Sequence, residues 1–173
     1  MPFLLLILSS LYFFLPAYFA NMAPVLFRWL PFGSKPLHEK LFGRNKTWRG
    51  LVIAPIMGTF IFWIQKFLYV QGFTTLALID YADFSLLLGL LLGTGAILGD
   101  LVKSYFKRKQ KIESGKPWLG WDQLDFVIGG LLLSFFIYVP QIEVVVILLI
   151  TSPILHVLVN YIGYLLGISR AKI

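Results

Sequence analysis

Long apolar runs alternate with polar passages along almost the whole chain. A helix needs about 20 predominantly apolar residues to cross a bilayer. Runs that approach this length lie at residues 3–19, 51–70, 84–102, 124–139 and 144–168. The pattern predicts an all-α integral membrane protein of five transmembrane helices in a single domain, residues 1–173. The fourth helix is short, since its roughly 16 residues rise about 24 Å against a hydrocarbon core of about 30 Å.

A cleaved signal peptide is the alternative interpretation of residues 3–19. That run has no Lys or Arg before its apolar stretch and no clear small-x-small cleavage site, which signal peptides normally have. We therefore expect a first transmembrane helix here, kinked near its far end by Pro16.

The distribution of basic residues predicts the orientation. Residues 21–50 and 103–121 contain most of the Lys and Arg, whereas residues 71–83 and 140–143 contain none. By the positive-inside rule, the two basic loops and the C-terminus face the cytoplasm and the N-terminus lies outside. We expect a multi-pass protein of the plasma membrane whose active site faces the cytoplasm, where nucleoside triphosphates are found.

The composition excludes several classes of protein and site. With 58% hydrophobic residues and a mean hydropathy of +0.82, the chain is too apolar for a soluble domain of its length. The absence of Cys excludes disulfides, zinc–thiolate sites and a thiol nucleophile, and two His argue against a histidine-built metal centre. The net charge of +7 lies in loops between spans, so we expect anionic phosphates and no nucleic acid as partners.

Three carboxylates flank the second basic loop. Asp122 and Asp125 are three residues apart where the fourth apolar run opens, so they share a helical face. A helix N-terminus suits Asp122 by itself, but an acid inside an apolar run, such as Asp125, is costly without a partner. Asp100 is predicted near a helix C-terminus, which repels negative charge unless a cation is bound. These oxygen ligands predict a site for Mg²⁺.

Basic residues continue the helical face of Asp100. Ser104, Lys107 and Arg108 follow it at spacings of four, seven and eight residues. Lys107 and Arg108 would neutralise the phosphates of a nucleotide or lipid and charge that develops during transfer. The pattern favours phosphoryl or nucleotidyl transfer to an amphipathic acceptor, with no protein nucleophile required. A structural or transport role is the alternative at this point.

Glycines mark one predicted helix as a packing element. Gly89 and Gly93, and likewise Gly95 and Gly99, are small-xxx-small pairs of the kind that let helices approach closely in lipid. Gly99 is also placed to leave room for a ligand beside Asp100. These faces permit a homodimer.

The first basic loop contains the run GRNKTWRG at residues 43–50. Cations, a hydroxyl group and an interfacial Trp in this combination can bind phosphate at the level of the lipid headgroups. A role in topology alone is the other interpretation.

These stretches together resemble the membrane cytidylyltransferases, and in particular the CDP-archaeol synthase branch. GDLVKSYFKR at residues 99–108 and DQLD at 122–125 are similar to the signature of a Ser, a Lys-Arg pair and an Asp-x-x-Asp. PAYFANMAPVL at residues 16–26 and GRNKTWRG resemble the first loop of that branch. The similarity spans nearly the whole chain and includes the five-helix layout.

The resemblance implies that CTP and a lipid phosphate with two long apolar chains give a CDP-activated lipid and pyrophosphate, with Mg²⁺ required. It implies metal-associated, catalytic roles for Asp100, Asp122 and Asp125, and a catalytic and nucleotide-binding role for Lys107. It further implies ligands for the nucleotide, the phosphates or the lipid at Ser104, Arg108, Asn21, Lys46, Thr47, Arg49 and Gln123.

The chain departs from the phosphatidate cytidylyltransferase signature. Glu113-Ser114 stands where that signature has Lys-Asp, and KPWLGW at residues 116–121 stands where it has Pro-Gly-His-Gly-Gly. The departures favour the shorter archaeol-type branch over a phosphatidate-specific enzyme. The apolar spans do not distinguish isoprenoid ethers from acyl esters.

Other functions predict features that the sequence lacks. A CDP-alcohol phosphotransferase would have a DGxxAR run, and a membrane prenyltransferase would have more spans and two acidic motifs. A small transporter or lipid-binding scaffold would have polar residues near the middle of the bilayer, where these apolar runs are nearly free of charge.

Overall fold

The computed structural model describes residues 1–113, 118 and 120–165, and these are helical apart from their connecting loops. Its helices are α1 (Phe3–Phe13), α2 (Leu15–Leu26), α3 (Glu39–Phe42), α4 (Trp48–Val70), α5 (Leu87–Lys109), α6 (Trp121–Ser134) and α7 (Ile142–Leu165). In this part of the chain, β pairing is limited to an isolated bridge between Pro36 and Thr47. The all-α prediction is confirmed for these residues. Residues 114–117 and 119 of the predicted second loop, residues 166–168 of the predicted last span and the tail that follows lie outside the described residues.

Among the described residues, three helices are long and apolar enough to cross a membrane, Trp48–Val70, Leu87–Lys109 and Ile142–Val159. The bent pair α1 and α2 makes a fourth candidate if it is one broken span. With 14 residues, α6 rises only about 21 Å, which is less than the hydrocarbon core. The candidate spans make the chain an integral membrane protein. A fifth span and the orientation of the termini stay predictions.

The first apolar run is divided into two helices that are bent by 47° relative to each other. Phe14 caps both helices, and Pro16 lies in the first turn of α2. Because Pro has no N–H, it cannot continue the hydrogen-bond ladder of α1, but it fits the start of a new helix. The predicted kink is present. The helix then continues to Leu26, so the expectation of a loop from residue 21 is wrong and Asn21 is helical.

The third apolar run ends at residue 102, but α5 continues to Lys109. The prediction of a loop from residue 103 is therefore wrong for residues 103–109, and α6 likewise begins inside the predicted loop, at Trp121. Lys and Arg are good helix formers, and cations in a last turn interact favourably with the helix dipole. Asp100 lies more than two turns before the end of α5, so the predicted repulsion by a helix C-terminus does not apply.

One pair of glycines in α5 contacts α4. A Cβ added to Gly89 would lie 2.3 Å from the Phe62 Cβ, and one added to Gly93 would lie 2.9 Å from the Ala54 carbonyl oxygen. The two helix backbones therefore approach as closely as residues without side chains allow.

The other glycine pair of α5 contacts α6. A Cβ on Gly95 would lie 2.2 Å from the carbonyl oxygen of Gly129, and one on Gly99 would lie 2.1 Å from that of Asp125. The predicted packing role of both pairs is confirmed, and it is fulfilled within one chain. A homodimer stays a prediction. The contact at Gly99 brings the backbone of α6 at Asp125 directly against α5.

We expect Gly95→Ala to destabilise the protein by about 2–3 kcal/mol, in the upper part of the range for overpacked sites. The added methyl group meets backbone of α6, which cannot move aside as a side chain can. Thermal unfolding of the detergent-solubilised protein measures the effect. Leu98→Ala is the matched control, because Leu98 lies on the same helix with 40% of its surface exposed. Equal unfolding midpoints for the two variants would contradict the packing role.

Candidate active site

Polar side chains collect where the last turns of α5 meet the first turns of α6. Asp100, Ser104 and Lys107 are buried on α5, and Arg108 is half-buried beside them. The prediction that these four residues share a helical face is confirmed. Buried charged groups at this density require specific partners.

Lys103 lies at the centre of this region. Its Nζ is 3.0 Å from Asp100 Oδ1, 3.1 Å from Asp122 Oδ1 and 2.7 Å from Asp125 Oδ2. The Lys103 side chain is 13% exposed. Three carboxylates from two helices therefore share one ammonium group. We call these four residues the carboxylate cluster.

Lys103 is the site residue that the sequence interpretation missed. It lies three residues after Asp100 and four before Lys107, so helical spacing alone would have placed it on their face. The sequence interpretation followed spacings of four, seven and eight residues from Asp100 and left out the spacing of three, which leads to Lys103.

Two further lysines complete the pairing of charges. Lys46, from the first basic loop, forms an ion pair with Asp100. The Lys107 Nζ lies 3.0 Å from Asp122 Oδ2. Three carboxylates and three ammonium groups thus meet in one largely buried region. Asp100 itself is paired with two of these lysines, Lys46 and Lys103.

Backbone N–H groups fix two of the carboxylates. The N–H of Trp118 donates to Asp122 Oδ2 at 2.6 Å, and the N–H of Phe126 donates to Asp125 Oδ1 at 2.6 Å. Such bonds orient a carboxylate as well as stabilise its charge. Asp122 also lies in the first turn of α6, where the helix dipole favours an acid.

Several predicted ligands have structural partners. The Ser104 hydroxyl donates to the Asp100 carbonyl oxygen at 2.7 Å, and the Gln123 Oε1 accepts from the Gly120 N–H at 2.8 Å. The Gln123 bond closes the N-terminus of α6 in the manner of a capping box. These side chains therefore position the helices that hold the cluster.

Predicted ligands in the first basic loop also have structural partners. Thr47 caps α4 by accepting the Gly50 N–H at 3.3 Å, and the Arg49 Nη1 donates to the Leu30 carbonyl oxygen at 2.6 Å. Both contacts shape the loop that carries Lys46 to Asp100. Asn21 is half-buried on α2, outside the carboxylate cluster.

Two openings lie beside these charges. A cavity of ≈ 30 Å³ adjoins Lys46 and Asp100, which is enough for a water molecule. An open depression of ≈ 300 Å³ lies at the end of α5 and is lined by Glu39, Lys40, Gly43, Arg44 and Arg108. The depression carries three cations and one acid, so it favours an anion.

The carboxylate cluster has the donor chemistry of a site for a hard divalent cation, because its ligands would all be oxygen atoms. Within the described residues, however, no group of three or more His, Cys, Asp or Glu is arranged to hold a metal ion. The carboxylate oxygens stand 2.7–3.1 Å from the Lys103 Nζ, against about 2.0–2.1 Å for a Mg–O bond. The residue types fit Mg²⁺, but the oxygens must come closer together to bind it.

Comparison with known proteins decides the family. The family model for CarS-like CDP-archaeol synthase matches residues 3–172. The chain belongs to the CDP-archaeol synthase family. This membership makes it a CTP-dependent nucleotidyltransferase of lipid biosynthesis, and it confirms the resemblance seen in the sequence motifs.

Individual relatives agree with the family. The CDP-archaeol synthase of Thermococcus onnurineus is 35% identical over 169 residues, which cover 93% of this chain and 94% of that protein. The CDP-archaeol synthase of Methanocaldococcus jannaschii is 34% identical, with 95% and 96% covered. A solved structure, described as an intramembrane enzyme for archaeal membrane lipids biosynthesis, matches this CDP-archaeol synthase family member with a TM-score of 0.71. It is 27% identical, and 89% of this chain and 94% of that one are covered.

A double-mutant cycle tests whether Lys46 and Asp100 are coupled. We expect Lys46→Met and Asp100→Asn each to cost about 2–3 kcal/mol, less than a fully buried pair because Lys103 also contacts Asp100. The double variant should lose at least about 1 kcal/mol less than the sum, since neither partner is left unpaired. Thermal unfolding of the unchanged protein, the two single variants and the double variant measures these losses of stability.

The ion pair between Arg44 and Glu39 is the matched control for that cycle. Its N–O distance is 2.7 Å, but the side chains are 82% and 54% exposed, so a coupling below about 0.5 kcal/mol is expected. If the two cycles give the same coupling, the Lys46–Asp100 pair is no more than a surface contact.

Proposed function

We propose that this chain transfers CMP from CTP to the phosphate of a membrane lipid with two isoprenoid ether chains, with Mg²⁺ required and pyrophosphate released. The observation that carries the proposal is the carboxylate cluster next to a basic depression, in a chain of the CDP-archaeol synthase family. The relatives' name supports a CDP-activated ether lipid as the product.

The reaction is a direct displacement at phosphorus. An oxygen of the lipid phosphate attacks the α-phosphorus of CTP and forms a new P–O bond. The bond from the α-phosphorus to the bridging β-phosphate oxygen breaks, and pyrophosphate leaves with that electron pair. No protein nucleophile takes part, so the protein has to position two anionic substrates and stabilise their charge.

Asp100, Asp122 and Asp125 are the residues that would hold Mg²⁺, and the ion would supply Lewis-acid stabilisation of the transferring and leaving phosphates. The two helices already present these carboxylates to a common point, at the Lys103 Nζ. Carboxylates that are gathered before the substrates bind would need only a small further approach to hold the ion, which limits the rearrangement required during the reaction.

The cations around the cluster are suited to the phosphates of the two substrates. Arg108 lines the basic depression together with Lys40 and Arg44, and we assign these three residues to the β- and γ-phosphates. Lys107 contacts Asp122 and lies one residue before Arg108, at the boundary between the depression and the carboxylates. It would stabilise negative charge on the α-phosphate during transfer.

The site is placed for a lipid acceptor. Trp29, Trp48 and Trp121 are exposed near the loops that carry the basic residues, and Trp favours the membrane–water interface. These Trp residues support a position of the cluster at the level of lipid phosphates. The basic loops support a cytoplasmic orientation, which gives access to CTP.

Purified protein, α-³²P-labelled CTP and Mg²⁺ test the proposal, with extraction of lipid to detect labelled product. The isoprenoid ether-lipid phosphate should accept label, and phosphatidic acid in a parallel reaction should accept much less. Equal transfer to both would replace the ether-specific proposal by a permissive one. Transfer to neither by folded protein would refute the function.

Asp125→Asn should lower the rate of CMP transfer at least about a hundredfold, as expected when a group that stabilises the transition state is removed. The protein should still be found in the membrane fraction. Asp83→Asn is the matched control, since Asp83 is an exposed loop residue. Unimpaired Mg²⁺-dependent transfer by Asp125→Asn would remove this residue from the site.

Arg108→Ala should raise the apparent KM for CTP about tenfold, as expected from the loss of one charge-assisted hydrogen bond of roughly 1.5 kcal/mol. Lys109→Ala is the control from the same helical turn, because Lys109 is exposed and does not line the depression. Steady-state kinetics at saturating lipid gives the apparent KM for CTP of both variants. Matching KM values would place the triphosphate elsewhere.

A further inference from the structure

We propose that Lys103 is a resident counter-ion that competes with the divalent metal for the same three carboxylates. Its ammonium group holds the cluster together while no metal is bound and must leave when the metal enters. The inference rests on the proposed function for the location of the metal site, but it concerns the binding equilibrium and not the reaction.

The geometry points to a shared position. The Lys103 Nζ contacts one oxygen each of Asp100, Asp122 and Asp125 within 3.1 Å. An ion bound by the same oxygens would have to lie among them, where this nitrogen now is. Lys103 is also largely shielded from water, so the ammonium and the ion cannot both be accommodated by a surface rearrangement.

The charge balance points the same way. With Lys46 on Asp100 and Lys107 on Asp122, the three carboxylates are already matched by three ammonium groups. A divalent cation added to this arrangement would meet Lys103 at close range, and like charges at such distances are strongly unfavourable in a buried site. Departure of Lys103 leaves two ammonium groups and three carboxylates, which favours a cation.

Lys103 is able to leave without movement of its helix. Its flexible four-carbon stem allows the ammonium group to swing while the backbone of α5 stays packed against α6. Without it and without metal, three carboxylates would repel one another across the helix contact at Gly99. Lys103 is therefore a positioning residue that holds the three carboxylates together.

Binding of Mn²⁺, used as a spectroscopic probe in place of Mg²⁺, tests the competition without turnover. Electron paramagnetic resonance of free Mn²⁺ gives the Kd for purified protein in detergent. Lys103→Met should bind Mn²⁺ at least about tenfold more tightly than the unchanged protein, since a neighbouring like charge is removed. Lys66→Met is the matched control and should have an unchanged Kd. The Lys66 Nζ donates to the carbonyl oxygens of Ala82 and Phe84, near the end of α4 opposite to Lys46.

Thermal unfolding provides a second readout. In EDTA, Lys103→Met should unfold at a lower temperature than the unchanged protein, and Mg²⁺ should raise its midpoint more than it raises that of the unchanged protein. Lys66→Met should show no such gain from Mg²⁺. A purely structural role for Lys103 would lower the midpoint in both conditions alike.

Lys103→Arg keeps the test decisive should the Met variant fail to fold. A guanidinium group retains the charge and binds carboxylates through a rigid fork. Arg should therefore compete with Mn²⁺ for the carboxylates more strongly than Lys does, and the Kd for Mn²⁺ should rise at least about threefold. Unchanged or weaker Mn²⁺ binding by Lys103→Met, or unchanged binding by Lys103→Arg, overturns the inference. Failure of the proposed function would appear separately, as absence of CMP transfer by the unchanged protein, whatever the Mn²⁺ affinities are.

Discussion

The gathering of three carboxylates, two of them buried and the third partly buried, is the constraint on which the rest of this structure depends. Asp100, Asp122 and Asp125 would repel one another and lose hydration unless cations were placed among them. Lys103 supplies the central cation from α5 itself, and Lys46 supplies another from a loop more than fifty residues earlier. The first basic loop is thereby tied to the end of α5, and the site draws on three separate segments of the chain.

Close contact between α5 and α6 makes this arrangement possible. Gly95 and Gly99 let the backbone of α6 approach until a single methyl group would collide with a carbonyl oxygen. A larger separation would move Asp125 away from Asp100, and one ammonium group could no longer contact both at the distances observed here. Packing and electrostatics therefore support each other here. The small residues set the distance between α5 and α6, and the ion pairs form only at that short distance.

The same arrangement suits chemistry at a membrane surface. A CDP-activated lipid is made from one substrate that is dissolved in water and one that is embedded in lipid, so the charged site has to lie where both can reach it. Here the charged side chains occupy one end of the helices, next to an open basic depression, while the apolar lengths of α4 and α7 are largely exposed on the protein surface. The short α6 carries two of the carboxylates into the buried region from its first turns.

The sequence by itself determined the helical class, the face shared by Asp100, Ser104, Lys107 and Arg108, and the family. These depend on local spacing and on motifs, which can be seen without knowing where the chain goes. Only the tertiary structure decided that α5 runs on to Lys109, because backbone hydrogen bonding continues after hydropathy falls. It alone decided that Lys46 reaches Asp100 and that Lys103 joins all three carboxylates. Ion pairs between distant segments depend on how helices pack, and neither periodicity nor composition specifies that packing.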